Sequence, residues 1–457
     1  TFSSYFFILI SAGHIWKFIT LAYIPPTIAG LVYVYRKKYM LGGLLFMVFV
    51  AFQISANHFQ MSYYFLFLML FMVIAYFVDA YRKKELPHFL RATGVLLFAG
   101  IIGVAANSSN LYHTYEYSKE TMRGKSELSH HEEGNTTDDG LERDYITAWS
   151  YGIGETWTLL IPNTKGGASV PLSENEKAMS NARPEYSQIY QQIGQYWGDQ
   201  PGTSGPVYVG AFVLALFILG LFIVKGPIKW ALLAGTIFSI LLSWGKNFMP
   251  LTDFFIDFVP MYNKFRAVSS ILVVAEFCIP LLAALTVKEI IQKPEVLKSN
   301  IKYLYISLGL TGGFALLFAI APKVFFSSFI SVSEMQAFSQ ALPPEHIQPF
   351  LANLTDMRLS LFTADAWRSF IIVAIGGIFV WLFLKNKLKA LWMVAGIILL
   401  CLVDMWDVNK RYLNDNDFVY KSNQEQLFSL TPTDQYILQD TTKYYRVLNL
   451  ATSTFND

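Results

Sequence analysis

The sequence predicts an all-α polytopic membrane protein, and three observations carry that prediction. Hydrophobic residues make up 54% of the 457 and charged residues only 15%, against about 25% charged in an average soluble chain. Mean hydropathy is +0.38. Apolar runs approaching the roughly 20 residues needed to cross a bilayer recur along the chain, with Lys and Arg gathered in alternate connections between them. A soluble protein of this length needs more charge to cover its surface. The net charge of +2, without a basic domain, argues neither for nor against a nucleic-acid partner, and none is expected of a chain of this class.

The runs fall at 1–12, 18–35, 40–56, 61–80, 90–107, 206–224, 229–244, 268–287, 302–321, 367–384 and 389–405, which makes about eleven transmembrane helices. The first is clipped at its start. The cleanest, at 207–224, meets no charge until Lys225, and the runs at 40–56 and 229–244 are short for a crossing. The organisation expected is five helices over 1–107, a loop at 108–205, four helices over 206–321, a loop at 322–366, two helices over 367–405, and a truncated domain over 406–457. The first methionine is Met40, and the chain stops at Thr454-Phe455-Asn456-Asp457 without a closing element. It reads as an internal piece of a longer protein, so the lack of a signal peptide carries no information.

Basic residues orient the helices. Arg36-Lys37-Lys38, Arg82-Lys83-Lys84 with Arg91, Lys225 with Lys229, Lys288, Lys293, Lys298, Lys302, Lys385, Lys387 and Lys389 share one parity. Short connections of the other parity hold only Lys17, Lys246, Lys264 and Arg266. The positive-inside rule places the first set in the cytoplasm and the long loops outside it. Within 331–352, Val332, Met335, Phe338, Leu342, Ile347 and Phe350 suggest interfacial helices broken at Pro343-Pro344. In the tail, 432–440 reads as a short helix opened by Thr433-Asp434, and 444–450 as a strand. Cys278 and Cys401 lie in apolar runs and indicate neither a disulfide nor a metal pair.

The outer helix ends collect polar residues: Ala12-Gly13-His14-Ile15-Trp16-Lys17, Ala56-Asn57-His58-Phe59-Gln60, Trp244-Gly245-Lys246-Asn247 and Met261-Tyr262-Asn263-Lys264-Phe265-Arg266. Cations on the disfavoured side point to an anion site, with a lipid phosphate as the natural ligand for Lys17, Lys264 and Arg266 and with His14 and His58 assisting. The competing readings are lysine and arginine snorkelling to headgroups and histidines serving as interfacial hydrogen-bonding residues.

Glu276 lies near the middle of the run at 268–287, four residues before Pro280. A charge there costs about 2.5–3.5 kcal/mol on insertion scales. It is either a functional group, central to a proton-coupled transporter, or a structural one bonded to a neighbouring helix or to Arg266. In the first long loop, Ser150-Tyr151-Gly152-Ile153-Gly154-Glu155-Thr156-Trp157 and Tyr196-Trp197-Gly198-Asp199-Gln200 combine glycine turns, carboxylates and aromatics. Such a mixture suits a carbohydrate, with Asp199, Glu155 and Trp197 contacting sugar or acceptor, and equally an ordered interfacial loop. His130-His131-Glu132-Glu133 and Asp138-Asp139 are metal-ligand types in a Gly/Asn/Thr-rich stretch without ligand spacing, so no metal site is assigned.

At these loops the chain resembles the YfhO family of bacterial membrane proteins, in the form found in Bacteroidetes. The resemblance rests on Ser3-Ser4-Tyr5-Phe6-Phe7, Ala12-Gly13-His14 with Lys17, and Ala56-Asn57-His58 with Gln60. It continues through Arg123-Gly124-Lys125-Ser126-Glu127-Leu128, Tyr196-Trp197-Gly198-Asp199-Gln200 and Arg446-Val447-Leu448-Asn449-Leu450. That family looks like GT-C glycosyltransferases, which take a sugar from a polyprenyl-phosphate-linked donor at the outer membrane face. The resemblance implies a GT-C-like fold, membrane lipid and the lipid-linked donor as partners, and an envelope glycan or polymer as acceptor. It places the catalytic acidic residue in a first outer loop upstream of Thr1, where it acts as general base or holds a divalent metal, the one cofactor implied. The chain alone is then expected to be inactive. The alternatives are a transporter or flippase for a lipid-linked saccharide and a non-catalytic envelope assembly factor.

Overall fold

The computed structural model describes residues 3–124, 137, 140–421 and 429–448. It forms two compact units, Thr1–Leu413 and Asn414–Asp457. Helix accounts for 73% of the protein, and no strand occurs among the described residues. Seven helices are long and apolar enough to cross a membrane: Ile15–Tyr35, Phe59–Lys83, Leu86–Ala105, Val268–Gln292, Lys302–Ile320, Pro344–Leu384 and Ala390–Asn409. The protein is a polytopic helical membrane protein.

The helices are apolar on both faces. In Phe59–Lys83, Met61, Tyr64, Phe65, Leu68 and Met72 are buried, while Leu66, Leu70, Ile74 and Phe77 stand exposed on the opposite stripe. A helix facing water would carry polar residues there, whereas lipid tails are as apolar as leucine. In Ala390–Asn409 the exposed Trp392 and Trp406 sit about 21 Å apart along the axis, placed for the two headgroup belts. Small residues allow tight contacts: a Cβ on Gly30 would meet the Phe46 backbone nitrogen at 2.7 Å, and one on Gly42 the Gly30 carbonyl at 2.7 Å.

The other four expected runs form shorter or bent elements, each for a local reason. The run at 1–12 forms the eight-residue helix Ser4–Ser11, and that at 40–56 the 17-residue helix Tyr39–Ser55. The run at 206–224 is helical only over Ala211–Ile223. Its first residues are held outside the helix by the N-terminal segment: Ser4 N–H donates to Tyr208 O at 3.1 Å, Ser4 Oγ donates to Pro206 O at 2.6 Å, and Tyr208 N–H donates to Ser4 Oγ at 2.9 Å. Ile228–Ser243 turns by 108° onto Gly245–Phe258, a second helical arm that sequence periodicity did not isolate. Thr252 Oγ1 closes this bend on Gly245 O at 2.9 Å.

Pro343-Pro344 does break 331–352, into Val332–Ala341 and a helix starting at Pro344. The second piece runs on without interruption into the expected span at 367–384. Its 41 residues measure about 62 Å, twice the hydrocarbon thickness of about 30 Å. Phe338 and Phe350 are buried, with Leu342 and Ile347 packed beside them, in a core shared with Leu172, Tyr186 and Tyr190 of the first long loop. Val332 and Met335 stay exposed. The two long loops thus fold on each other.

Buried ion pairs fix these parts. Arg358, fully buried, grips Glu334 with Nη1–Oε2 at 2.9 Å and Nη2–Oε1 at 2.6 Å. Arg411 takes Asp365 at 2.8 and 3.1 Å. Arg368 bridges Asp404 at 2.7 Å and Asp407 at 3.0 Å. In the second unit the helix is Pro432–Ile437, opened by Thr431 in a capping box with Asp434 rather than by Thr433. The described part of the expected strand, 444–448, forms none.

Candidate functional site

Two turns and one irregular strap build a cationic cluster at one end of the helices. Gly13, at φ +73°, ends Ser4–Ser11 and delivers His14 and Lys17. Asn57, at φ +59°, turns between Tyr39–Ser55 and Phe59–Lys83 and delivers His58 and Gln60. Arg266 precedes Ala267 at φ +56°, before the short turn opening Val268–Gln292. Gln60 Nε2 donates to Arg266 O at 2.6 Å and ties the strap to the second turn.

The groups feel one another. Burial lowers the His14 pKa, and the charges of Lys17 and Arg266 lower it further. Burial chiefly, then Lys17 and His14, bring His58 down to about 4. Both imidazoles are therefore neutral at pH 7, held so chiefly by burial and then by the neighbouring cations, with no carboxylate of the described residues opposing them. His58 Nδ1 is buried without a hydrogen-bond partner. The Arg266 guanidinium donates to Tyr145 OH and lies 5.2 Å from the Tyr145 ring and 5.8 Å from that of Trp149. Aromatic faces hold it without neutralising it. Lys264 stands apart: its Nζ donates to Arg123 O at 2.7 Å, and Arg123 Nε returns a bond to Lys264 O at 3.0 Å.

A second site lies in the long loops. A cavity of about 700 Å³ is lined by Lys165, Trp197, Asp199, Lys246, Asn247, Phe325 and the segment 326–333. Beneath it Glu155 is buried and fully engaged, accepting from Gly152 N–H at 2.7 Å, Tyr196 OH at 2.5 Å and Asp199 N–H at 3.4 Å. Burial raises its pKa, and those bonds oppose the rise. It positions the turn; it does not face a ligand. A Cβ on Gly198 would strike Tyr196 OH and Glu155 Oε1, so only glycine closes this turn. Asp199 does face the cavity, with Oδ2 accepting from Asn247 Nδ2 at 3.2 Å and its carbonyl accepting from Lys246 Nζ at 3.2 Å.

Trp197 corrects an expectation. It is 3% exposed, with the Arg358 guanidinium 5.2 Å from its ring and Phe329 at 6.1 Å. Its face is already covered and offers no platform for a sugar. Phe325, 46% exposed on the same cavity, does. Sequence reading missed Lys165, whose only local signal is the following Gly166-Gly167, and did not connect Lys246 and Asn247 with Asp199.

Glu276 is buried, with both carboxylate oxygens unpartnered. It sits in the first turn of Val273–Gln292, inside the membrane-crossing helix Val268–Gln292. Arg266 is not its partner, being committed to Tyr145 and Trp149. Its charge is felt at the buried Tyr5 and Tyr151. Both cysteines are free. Among the described residues no group of His, Cys, Asp and Glu could hold a metal; His130-His131-Glu132-Glu133 and Asp138-Asp139 lie outside them, as do 125–128 and 449–450.

No protein-family model, curated protein or solved structure matches the chain.

Proposed function

We propose that the protein is a membrane glycosyltransferase of the GT-C kind, akin to the YfhO family. In this reading it transfers a sugar from a polyprenyl-phosphate-linked donor to an envelope acceptor on the outer face of a bacterial inner membrane. The eleven-crossing topology belongs to this proposal, with the short helices and the bent pair completing the count. The observation that carries it is the convergence of Lys17, Arg266, His14 and His58 at the helix ends, with no balancing carboxylate among the described residues. That is the arrangement a phosphate headgroup needs at the edge of a bilayer.

Chemically, the acceptor oxygen attacks the anomeric carbon while the C1–O bond to phosphate breaks and its electron pair passes to the phosphate oxygen. The acceptor proton leaves to a base. Lys17 and Arg266 stabilise the charge gathering on the leaving phosphate, where preorganised donors act most strongly. Neutral His14 and His58 donate hydrogen bonds there. The base, or a divalent metal in its place, is assigned to no residue of this chain. Lys264 has a smaller part, holding the strap to Arg123. The test is release of polyprenyl phosphate from a labelled polyprenyl-phosphate-glucose donor by the reconstituted full-length protein. Release lost in Lys17→Ala and Arg266→Ala supports the reading, and release unaffected by both removes it.

Glu276 supports a second reading, transport of a lipid-linked saccharide, because a buried unpartnered carboxyl suits proton coupling. Proton-dependent uptake into proteoliposomes, abolished in Glu276→Gln, would favour it.

A further inference from the structure

We propose that the loop cavity binds an anionic saccharide, with its acidic group held by Lys165 and Lys246 and a sugar face laid against Phe325. In the transferase reading it is the acceptor site, and that role rests on the reading; the binding itself does not.

Three features of the cavity carry this. First, its charge is lopsided. Lys165 Nζ has no hydrogen-bond or ion-pair partner among the described residues, and burial lowers its pKa, with Asp199 and Glu155 opposing. Lys246 Nζ bonds only a carbonyl oxygen, that of Asp199. Asp199 is the one carboxylate on the lining, and Asn247 already engages it. A half-buried ammonium without a partner is costly to keep, and an incoming phosphate or carboxylate supplies what it lacks.

Second, the opposite wall is hydroxylated. Ser327, Ser328, Ser331 and Ser333 line it with Phe325 and Val332. Ser328 is spent on the local turn, Ser331 on the helix cap and Ser333 on Ser331, which leaves Ser327 for a ligand hydroxyl. Aromatic and hydroxyl groups in one cavity match the apolar face and polar rim of a sugar ring. The volume suits a ligand of one to three sugar units; small-molecule sites occupy roughly 300–1,000 Å³.

Third, the wall is built rigidly. The Arg358–Glu334 pair anchors the helix that begins at Val332, and the same guanidinium donates to Phe329 O at 3.0 Å and Gly194 O at 3.1 Å. Glu334 also completes the cap at Ser331. One buried pair thus holds both sides of the opening.

The test is binding of glucose 6-phosphate to the full chain in nanodiscs, with glucose and inorganic phosphate measured separately. Glucose 6-phosphate should bind at least about tenfold more tightly than either half, and Lys165→Met should weaken it by about tenfold, the loss expected for one charge-assisted hydrogen bond. Phe325→Ala, at an exposed site that leaves the fold intact, should weaken it severalfold without changing inorganic phosphate binding. Thermal unfolding confirms that each variant is folded, and Lys246→Met replaces Lys165→Met if that one is not. Inorganic phosphate binding as tightly as the sugar phosphate would overturn the saccharide assignment. No binding, or binding indifferent to Lys165, Lys246 and Phe325, would overturn the site. Because Lys17→Ala should leave this affinity unchanged, failure here is distinguishable from failure of the lipid-phosphate cluster.

Discussion

The helix-end cluster and the loop cavity both present cations, but they keep them in place differently. Arg266 is held by aromatic rings and a phenol, Lys17 by burial among like charges, and no carboxylate among the described residues answers either. In the cavity, Glu155 is saturated with donors, Arg358 is matched by Glu334, and the lysines on the lining are incompletely paired. The cluster is therefore a charge device that needs an anion and little shape. The cavity is a shape device, in which a rigid ion pair and a closed turn define the space before any ligand enters.

That contrast fixes the order of expected effects. The largest belongs to the frame of the cavity: Glu334→Ala strands the fully buried Arg358 charge and should cost about 3–5 kcal/mol, seen as a lower unfolding midpoint, with sugar-phosphate binding lost. Gly198→Ala should follow at about 1–3 kcal/mol, since its Cβ lands on Tyr196 and Glu155. At the cluster, Arg266→Ala should leave the midpoint nearly unchanged yet weaken polyprenyl phosphate binding by about tenfold or more, for a loss of about 1.5–3 kcal/mol. Arg266→Lys should restore only part, because an ammonium lacks the planar fork that lies on Tyr145 and Trp149.

The last effect is one of pH. His58 titrates near 4 in the folded protein against 6.5 for the ordinary group, so the unfolded chain binds its proton first. Stability from this site is full above about 6.5 and falls as pH drops towards about 4. A midpoint measured across that window should decline less steeply in His58→Gln than in the wild type, and an equal slope would assign the field to another group.

Much of the architecture was legible because lipid imposes a simple rule: long apolar runs become helices, and Lys and Arg mark their ends. Where the rule failed, a specific tertiary bond intervened. The run at 206–224 lost its first turn to Ser4, some two hundred residues away, and no local pattern encodes that. Pro343-Pro344 announced a break, but not that the helix from Pro344 runs on to Leu384 and packs against Tyr186 and Tyr190. In the cluster, His14, Lys17, His58 and Arg266 were visible as cations and imidazoles at helix ends, and the fold brings them together. Lys264, of the same type two residues from Arg266, is turned to Arg123 by backbone geometry that composition does not reveal. Trp197 looked like a sugar platform because sequence does not report what covers a ring.

Native mass spectrometry of the full-length protein with polyprenyl phosphate is the most direct test, comparing wild type with Lys17→Ala, Arg266→Ala and Lys264→Ala. A lipid-phosphate site at the cluster predicts specific binding, weakened about tenfold by each of the first two substitutions and little changed by the third. Binding that is absent in folded protein, or equal across all four, would contradict it.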